Sequence, residues 1–450
     1  MAMTWSQLLS PQRFRAKNGE IIPTVTPSTQ EGIDALRTDF HIDYDRVVFS
    51  GAFRRLGRKT QVHPLAEHDL THNRLTHSVE VASVGRSLGN RVGVMLQAGG
   101  FLPENNTPGD IGAVVQVACL AHDLGNPPFG HTGEDALRHW FRKEKNLRFL
   151  TSLSEAELSD VQTYEGNAHS LRIVANLEMY PDAGGMRLSA ASIGALIKYP
   201  WTSQGPRGRS KFNIYQTELP FIRRVAAELG LLEAGCDQWV RHPLSYLMEA
   251  SDDICYALLD LEDAVELELL TDTKVESVLS ELTFEESTWH AQSSRQRCAM
   301  LRGIAIGKAI EDAAQTFMKH QSDLLSGEFK GKDLISLCSP QVQNTLEKAK
   351  ELARTRIFRH RTKLMTEIAT FPCLGSILDL FVPAAHALLV EQKLDVRQSL
   401  ILDLLKNHNP ILETDSLYQA YMKILDFVGG MTDNAAAKMA QDLSGTGILR

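Results

Sequence analysis

The sequence predicts an all-α protein, and three observations carry that expectation. Apolar residues recur at helical spacing along most of the chain, and the alternating β-branched runs that would mark a sheet are nearly absent. The stretch from Ile111 to Ala121 is apolar almost all round, as a central helix must be. At 450 residues, 43% hydrophobic and 23% charged, the chain is long enough for a large core or a core plus a second helical lobe. Three regions are expected: an N-terminal arm over 1–42, a core over 43–270 that holds every motif below, and a helical C-terminal region over 271–450 packed on that core.

In chain order, residues 1–40 hold Pro11, Pro23 and Pro27 with little periodicity, so they read as an arm lying on the body or on a partner subunit. A helix beginning near Leu75 puts His77, Val81, Val84 and Leu88 on one face, which turns His77 toward the core. Gly99-Gly100 and the segment Pro103 to Pro108 end it. The next helix, Ile111 to Leu124, stops at Gly125 and Pro127-Pro128, so its final turn delivers His122 and Asp123. Thr132-Gly133-Glu134-Asp135 reads as the start of a further helix with a threonine N-cap and an acidic first turn. The stretch Trp201 to Arg209 is expected to be a mobile surface loop. A third key helix places Asp252, Tyr256, Leu259 and Asp263 on one face by steps of four, three and four, with Asp253 turned about 100° away. Long amphipathic helices, including Gln341 to Phe358, follow residue 270, and the small-residue tail beyond Gly429 suggests no role.

A net charge of −8 argues against a dedicated nucleic-acid binder, whose footprint would be a net basic domain. Two basic islands, Arg54 to Lys59 and Arg207 to Lys211, could each hold an anion or simply form a solvated face. The longest nearly apolar stretches, such as Ile111 to Ala121, are expected to fall well short of the roughly 20 residues a membrane span needs, and no basic-then-apolar leader opens the chain, so a cytoplasmic protein is expected. The six cysteines lack CxxC spacing and suit reduced, buried thiols.

The chemistry-bearing pattern is His77, then the adjacent pair His122-Asp123, then Asp252. Two imidazoles and two carboxylates from three helices can supply four metal ligands and leave positions open for water and a phosphate oxygen. A carboxylate on a half-apolar face is costly unless paired or metal-bound. The mixed N/O set suits Mn²⁺, Fe²⁺, Co²⁺, Ni²⁺ or Zn²⁺ better than an all-oxygen Mg²⁺ site, and Mn²⁺ is the first expectation. Each residue taken singly also fits an ordinary structural role.

The segments HNRLTHSVEV, ACLAHDLGNPPFGHTGEDAL, EGNAHSLRI and YLMEASDDICYALLDLEDAV give the constellation its context. From about Asp43 to Asp263, and more weakly beyond, the chain resembles the HD-domain deoxynucleoside triphosphate triphosphohydrolases, the bacterial dGTPase-like enzymes related to the animal SAM-and-HD-domain dNTPase. The resemblance implies that His77, His122, Asp123 and Asp252 hold a divalent metal, that His131 is the catalytic histidine and that Glu134 orients it. It implies phosphate contact by Arg74, Lys198 and Lys211, a bond from Gln61 to the sugar 3′-hydroxyl, deoxyribose stacking on Tyr256, and a pocket place for Asn167. The implied reaction takes a dNTP to deoxynucleoside and intact tripolyphosphate, in a homo-oligomer, expected as a hexamer, with a dNTP or single-stranded nucleic acid as an effector.

Plainer readings stand beside these: an i,i+3 surface contact for His131 and Glu134, a core aromatic for Tyr256, solvated lysines at 198 and 211. His169 and Gly57 stand where the family's bacterial members more often carry glutamine, and the resemblance places both near the pocket, bearing on base preference. Two other functions share the motif set: an HD-domain nucleotidase or phosphodiesterase acting on another phosphate ester, and a nucleotide-sensing oligomer that holds single-stranded nucleic acid. Sensing alone needs neither His131 nor Glu134.

Overall fold

The computed structural model describes residues 2–17, 19–24, 37–61, 72–205, 211–266, 269–282, 293–356 and 361–449. Helices dominate it, as the periodicity requires. Among the described residues the two sheets are two-stranded hairpins, Phe14–Lys17 with Glu20–Pro23 and Glu233–Gly235 with Gln238–Trp239.

The central pair of helices is Arg74–Ala98 and Pro108–Ala121. The first starts at Asn73, whose Oδ1 accepts from the Leu75 and Thr76 amides at 3.0 Å each, while the Thr76 hydroxyl accepts from the Asn73 amide at 3.1 Å. The second starts with Thr107 as N-cap, Asp110 returning to the Thr107 amide at 2.8 Å, and Pro108 at the position where a missing N–H is harmless. Their close approach is written in the glycines. A Cβ on Gly85 would lie 2.5 Å from Cys119 Sγ, one on Gly89 2.9 Å from Gly112 Cα, and one on Gly93 2.7 Å from Pro108 Cα. The i, i+4, i+8 glycine stripe thus lets the two backbones touch, which fixes where His77 and His122 end up.

A first core gathers these two helices with Ala190–Leu196, Leu219–Leu229, Pro243–Glu266 and the later helices as far as Ala349. Met3, Trp5, Leu8 and Phe14 are buried in it, so the N-terminal residues pack on the body, with buried Arg13 paired to Asp39 and Asp43. A second core joins helix Gly130–Arg142 and residues 149–168 to the C-terminal helices Arg361–His386 and Leu417–Gly429. Trp140 ties it together by donating to Asp379 Oδ1 at 2.7 Å.

Several expectations are corrected. The helix after the His-Asp pair begins at Gly130, not at Thr132: its N-cap is Phe129 in the left-handed region, so Thr132 and Glu134 lie inside the first turns. The helix 108–121 ends one residue before His122, which is its C-cap, and Asp123 sits in the turn beyond. One apolar run is longer than expected. Lys363–Glu391 has a mean hydropathy of 1.8 over its most apolar window, long and apolar enough to cross a membrane, yet Leu374, Ile377, Leu378, Phe381 and Val382 of it are core residues. Trp201 and Thr202 bridge to Gln238 and Ile214 rather than hanging free, and residues 206–210, including Arg207 and Arg209, lie outside the described residues. All six cysteines are free, but Cys236 is exposed and Cys298 and Cys373 are half-buried. The expected helix from Gln341 spans Pro340–Arg356.

Candidate metal and phosphate centre

His77 lies one turn into its helix, His122 and Asp123 follow the end of the next, and Asp252 projects from the middle of Pro243–Glu266. The three elements bring ligand atoms of His77, His122 and Asp252 within 4.8 Å of one another. His77 Nε2 is 3.1 Å from Asp252 Oδ1, and His122 Nε2 is 3.6 Å from the same oxygen and 3.5 Å from Asp123 Oδ1. Asp123 stands at the edge of that group, with Oδ2 on Arg74 Nη1 at 2.7 Å and Oδ1 on the Asn126 amide. Asp253 points elsewhere and pairs with Lys350 Nζ at 2.8 Å.

The donor set fits a divalent cation. His122 Nδ1 lies 2.6 Å from the Cys119 carbonyl, which only accepts, so that nitrogen carries the proton and Nε2 of a neutral ring aims its lone pair at two carboxylates. Such a meeting is repulsive without positive charge between the groups. The protonation balance says the same. Burial opposes an imidazolium at His122, yet Asp123 and Asp252 outweigh it and hold its pKa above the ordinary value. Burial likewise opposes the carboxylate of Asp123, but His122, Arg74 and His77 bring its pKa down to about 2, and Asp252 is depressed in the same way by His122 and His77.

Beside this cluster, Arg74, Gln61, His131, Thr132, Phe129 and Lys363, with Thr60, Glu367 and Thr370, line a cleft of about 460 Å³. The His131 side chain is 80% exposed, with Nδ1 3.1 Å from Oε2 of Glu134, itself buried. Glu134 Oε1 accepts the Gly166 amide at 2.7 Å. Burial pushes the Glu134 carboxyl up, but the hydrogen bond and charge of His131, then Lys211 and Arg138, hold it down to about 2. The Gln61 Oε1 is buried and has no hydrogen-bond partner among the described residues. Tyr256 is half-buried one turn after Asp252, and burial, then Asp260 and Asp252, push its phenol up.

Glu165 and Arg138 are the members sequence reasoning missed. Fully buried Glu165 accepts from Asn167 Nδ2 at 2.6 Å and from Lys211 Nζ at 3.1 Å, and Arg138 reaches both Glu165 and Glu134 at 3.2 and 3.5 Å. Burial and the neighbouring charge of Glu134 push the Glu165 carboxyl up. The signal was the first letter of the EGNAH word. Asn167 and Lys211 thereby join the His131–Glu134 network. Lys198 does not: its Nζ pairs with Glu249 Oε1 at 2.8 Å and lines a separate polar cavity of about 1120 Å³ with Tyr199, Asp253 and Lys350. His169 is corrected too, being fully buried against Tyr164 with neither ring nitrogen hydrogen-bonded among the described residues, and Gly57 packs near Leu75; neither lines the cleft.

The chain is similar to known proteins over most of its length. The HD domain family model matches residues 74–164. A deoxyguanosinetriphosphate triphosphohydrolase-like protein of Pseudomonas aeruginosa is 44% identical, covering 91% of this chain and 94% of its own. A protein of the same designation from Synechocystis is 34% identical over 98% of this chain and 99% of its own. The deoxyguanosinetriphosphate triphosphohydrolase of Klebsiella pneumoniae is 31% identical over 79% of each.

Proposed function

The chain belongs to the deoxyguanosinetriphosphate triphosphohydrolase-like family of HD-domain phosphohydrolases, and from that premise we propose that it converts dGTP, or several dNTPs, to deoxynucleoside and intact tripolyphosphate. One observation carries this reading. The Arg74 guanidinium grips Asp123 in the metal cluster and also lines the cleft shared by Gln61 and His131. A phosphate bound by Arg74 therefore sits between the metal ligands and the group that grips the sugar, and only the α-phosphate of a nucleotide adjoins its sugar.

His77, His122, Asp123 and Asp252 would hold the divalent ion, Mn²⁺ first, and when bound it supplies Lewis-acid charge at the α-phosphate. Arg74 neutralises the oxygens of that phosphate as water attacks its phosphorus. His131 Nδ1–H donates to Glu134, which leaves Nε2 to carry a proton to the departing 5′-oxygen as the P–O5′ bond breaks, and anionic Glu134 stabilises the imidazolium. Gln61 holds the 3′-hydroxyl with its otherwise unpartnered amide oxygen, and the Tyr256 ring packs on the deoxyribose where a 2′-hydroxyl would clash. Asn167 and Lys211 brace the Glu134 side of the site through Glu165, whereas Lys198, held by Glu249 in its separate cavity, is assigned no phosphate contact.

His131→Ala tests the assignment. Loss of the proton donor should lower kcat by about 10²- to 10⁴-fold with KM little changed, because the transfer is made in the transition state. Weakened dNTP binding with turnover intact would instead make His131 a binding residue. A homo-oligomer, a hexamer, in the cytoplasm completes the proposal, supported by the exposed apolar residues Leu364, Met365 and Ile368 flanking the cleft residues Lys363 and Glu367. Light scattering that returns a 50 kDa particle at working concentrations would dismiss the oligomer.

A further inference from the structure

The turn that launches the His131 helix is held from the far end of the chain. Phe129 (φ 64°) and Gly130 (φ 59°) are consecutive left-handed residues, a conformation that phenylalanine keeps only when its surroundings fix it. The Phe129 amide donates to Asp433 Oδ1 at 2.9 Å, and Asp433 Oδ2 accepts the Thr60 amide at 3.0 Å and the Thr60 hydroxyl at 2.6 Å. Next to it, Lys59 Nζ donates to the Asn126 carbonyl at 2.6 Å and to the Gly429 carbonyl at 2.7 Å. Asp433 and Lys59 are each only 2% exposed.

Three segments therefore interlock: 59–60, which leads into Gln61; 126–129, which runs from Asp123 to His131; and 429–433, which joins the last two long helices. Two of the three segments lead straight into the site, and the third, 429–433, holds both of them. Thr60 precedes Gln61, Asn126 donates to Asp123, and Phe129 sets the angle at which the next helix offers His131. A hydrogen-bonding buried carboxylate and a buried ammonium are expensive to keep, so their convergence on one turn calls for a reason beyond filling space.

We propose that Asp433 and Lys59 are positioning residues for the hydrolytic reaction: the Gly429–Asp433 segment clamps the left-handed turn so that His131 meets the leaving oxygen. The C-terminal helices are then part of the catalytic apparatus without touching substrate. This rests on the reading of His131 as proton donor.

The test uses the full-length chain with Asp433→Asn, Lys59→Gln, His131→Ala and the Asp433→Asn/His131→Ala double variant, each normalised to bound metal. Asp433→Asn replaces one of the two carboxylate oxygens, which between them accept three donors, by an amide NH₂ that accepts none. It should lower kcat on the order of 10- to 100-fold, the cost of misplacing a reacting group by about 1 Å, with KM little changed. In the His131→Ala background the same substitution should cost nothing further, a non-additivity that a general loss of stability would not produce. Hydrogen exchange at the Phe129 amide should quicken.

Unchanged kcat, or the same factor lost again on top of His131→Ala, overturns the proposal. Should Asp433→Asn not fold, Lys59→Gln, which frees the turn at Asn126, carries the same expectations. If His131→Ala alone keeps full turnover, the role of His131 is what fails, and exchange at Phe129 then decides the clasp: unaltered exchange in the clasp variants rejects it.

Discussion

Gly130→Ala separates backbone strain from damage to the phosphate arm. At φ 59° an alanine costs about 1–2 kcal/mol. Its Cβ would also lie 2.6 Å from Arg74 Nη2, whereas ordinary contact begins at 3.4 Å, so the guanidinium must withdraw by about 0.8 Å. It cannot do so freely, because Nη1 is tied to Asp123 at 2.7 Å. With roughly 10²-fold lost per 1 Å of misplacement, kcat/KM should fall on the order of 30- to 100-fold. Gly100→Ala is the matched control: φ is 72° and nothing lies within 4 Å of the new Cβ. Urea unfolding should show both variants destabilised by a similar ~1–2 kcal/mol, while steady-state kinetics show only Gly130→Ala impaired. Equal activity in the two variants would refute the argument that Arg74 must stand where it does.

Asp252→Asn should lose metal and Asp253→Asn should keep it, since the first faces the imidazoles and the second pairs with Lys350; metal analysis giving the reverse would mean the helix register is misread. A pH effect on stability should trace to His242, whose ring bonds Leu8 O and the Leu244 amide and is pushed down from 6.5 to about 4 by burial, against the hydrogen bond to Leu8. The folded value is depressed, so the contribution is complete above pH 6.5 and is lost as pH falls toward 4, a loss of about 3 kcal/mol for 2.5 pH units. Urea midpoints between pH 7 and 4 should flatten in His242→Gln, whose amide can make both bonds without titrating; an unchanged slope would remove His242 as the cause.

What the sequence made legible was local. The apolar faces around His77, His122 and Asp252 follow from helical period alone, and their order singled out the three side chains that the structure brings together. The termini of helices were read less well. Thr132 has the chemistry of an N-cap, but the turn before it is left-handed at Phe129 and Gly130, and its capping carboxylate is Asp433, some 300 residues on, beyond the reach of any local pattern. Glu165 and Lys59 escaped for the same reason: their roles depend on Lys211, Arg138, Asn126 and Gly429 meeting in space. The apolar helix Arg361–His386 is punctuated by Pro372 and Pro383, which disguise its length, and tertiary packing on Trp140 and Phe141 keeps it helical.

The central claim is that the α-phosphate is the reacting one, and the products test it most directly. Each dNTP, incubated with the Mn²⁺-loaded protein and resolved by anion-exchange and reversed-phase chromatography, should yield free deoxynucleoside and an equal amount of tripolyphosphate. Appearance of dNMP with pyrophosphate, or of dNDP with orthophosphate, would place the cut elsewhere and contradict the account even if the metal site stands.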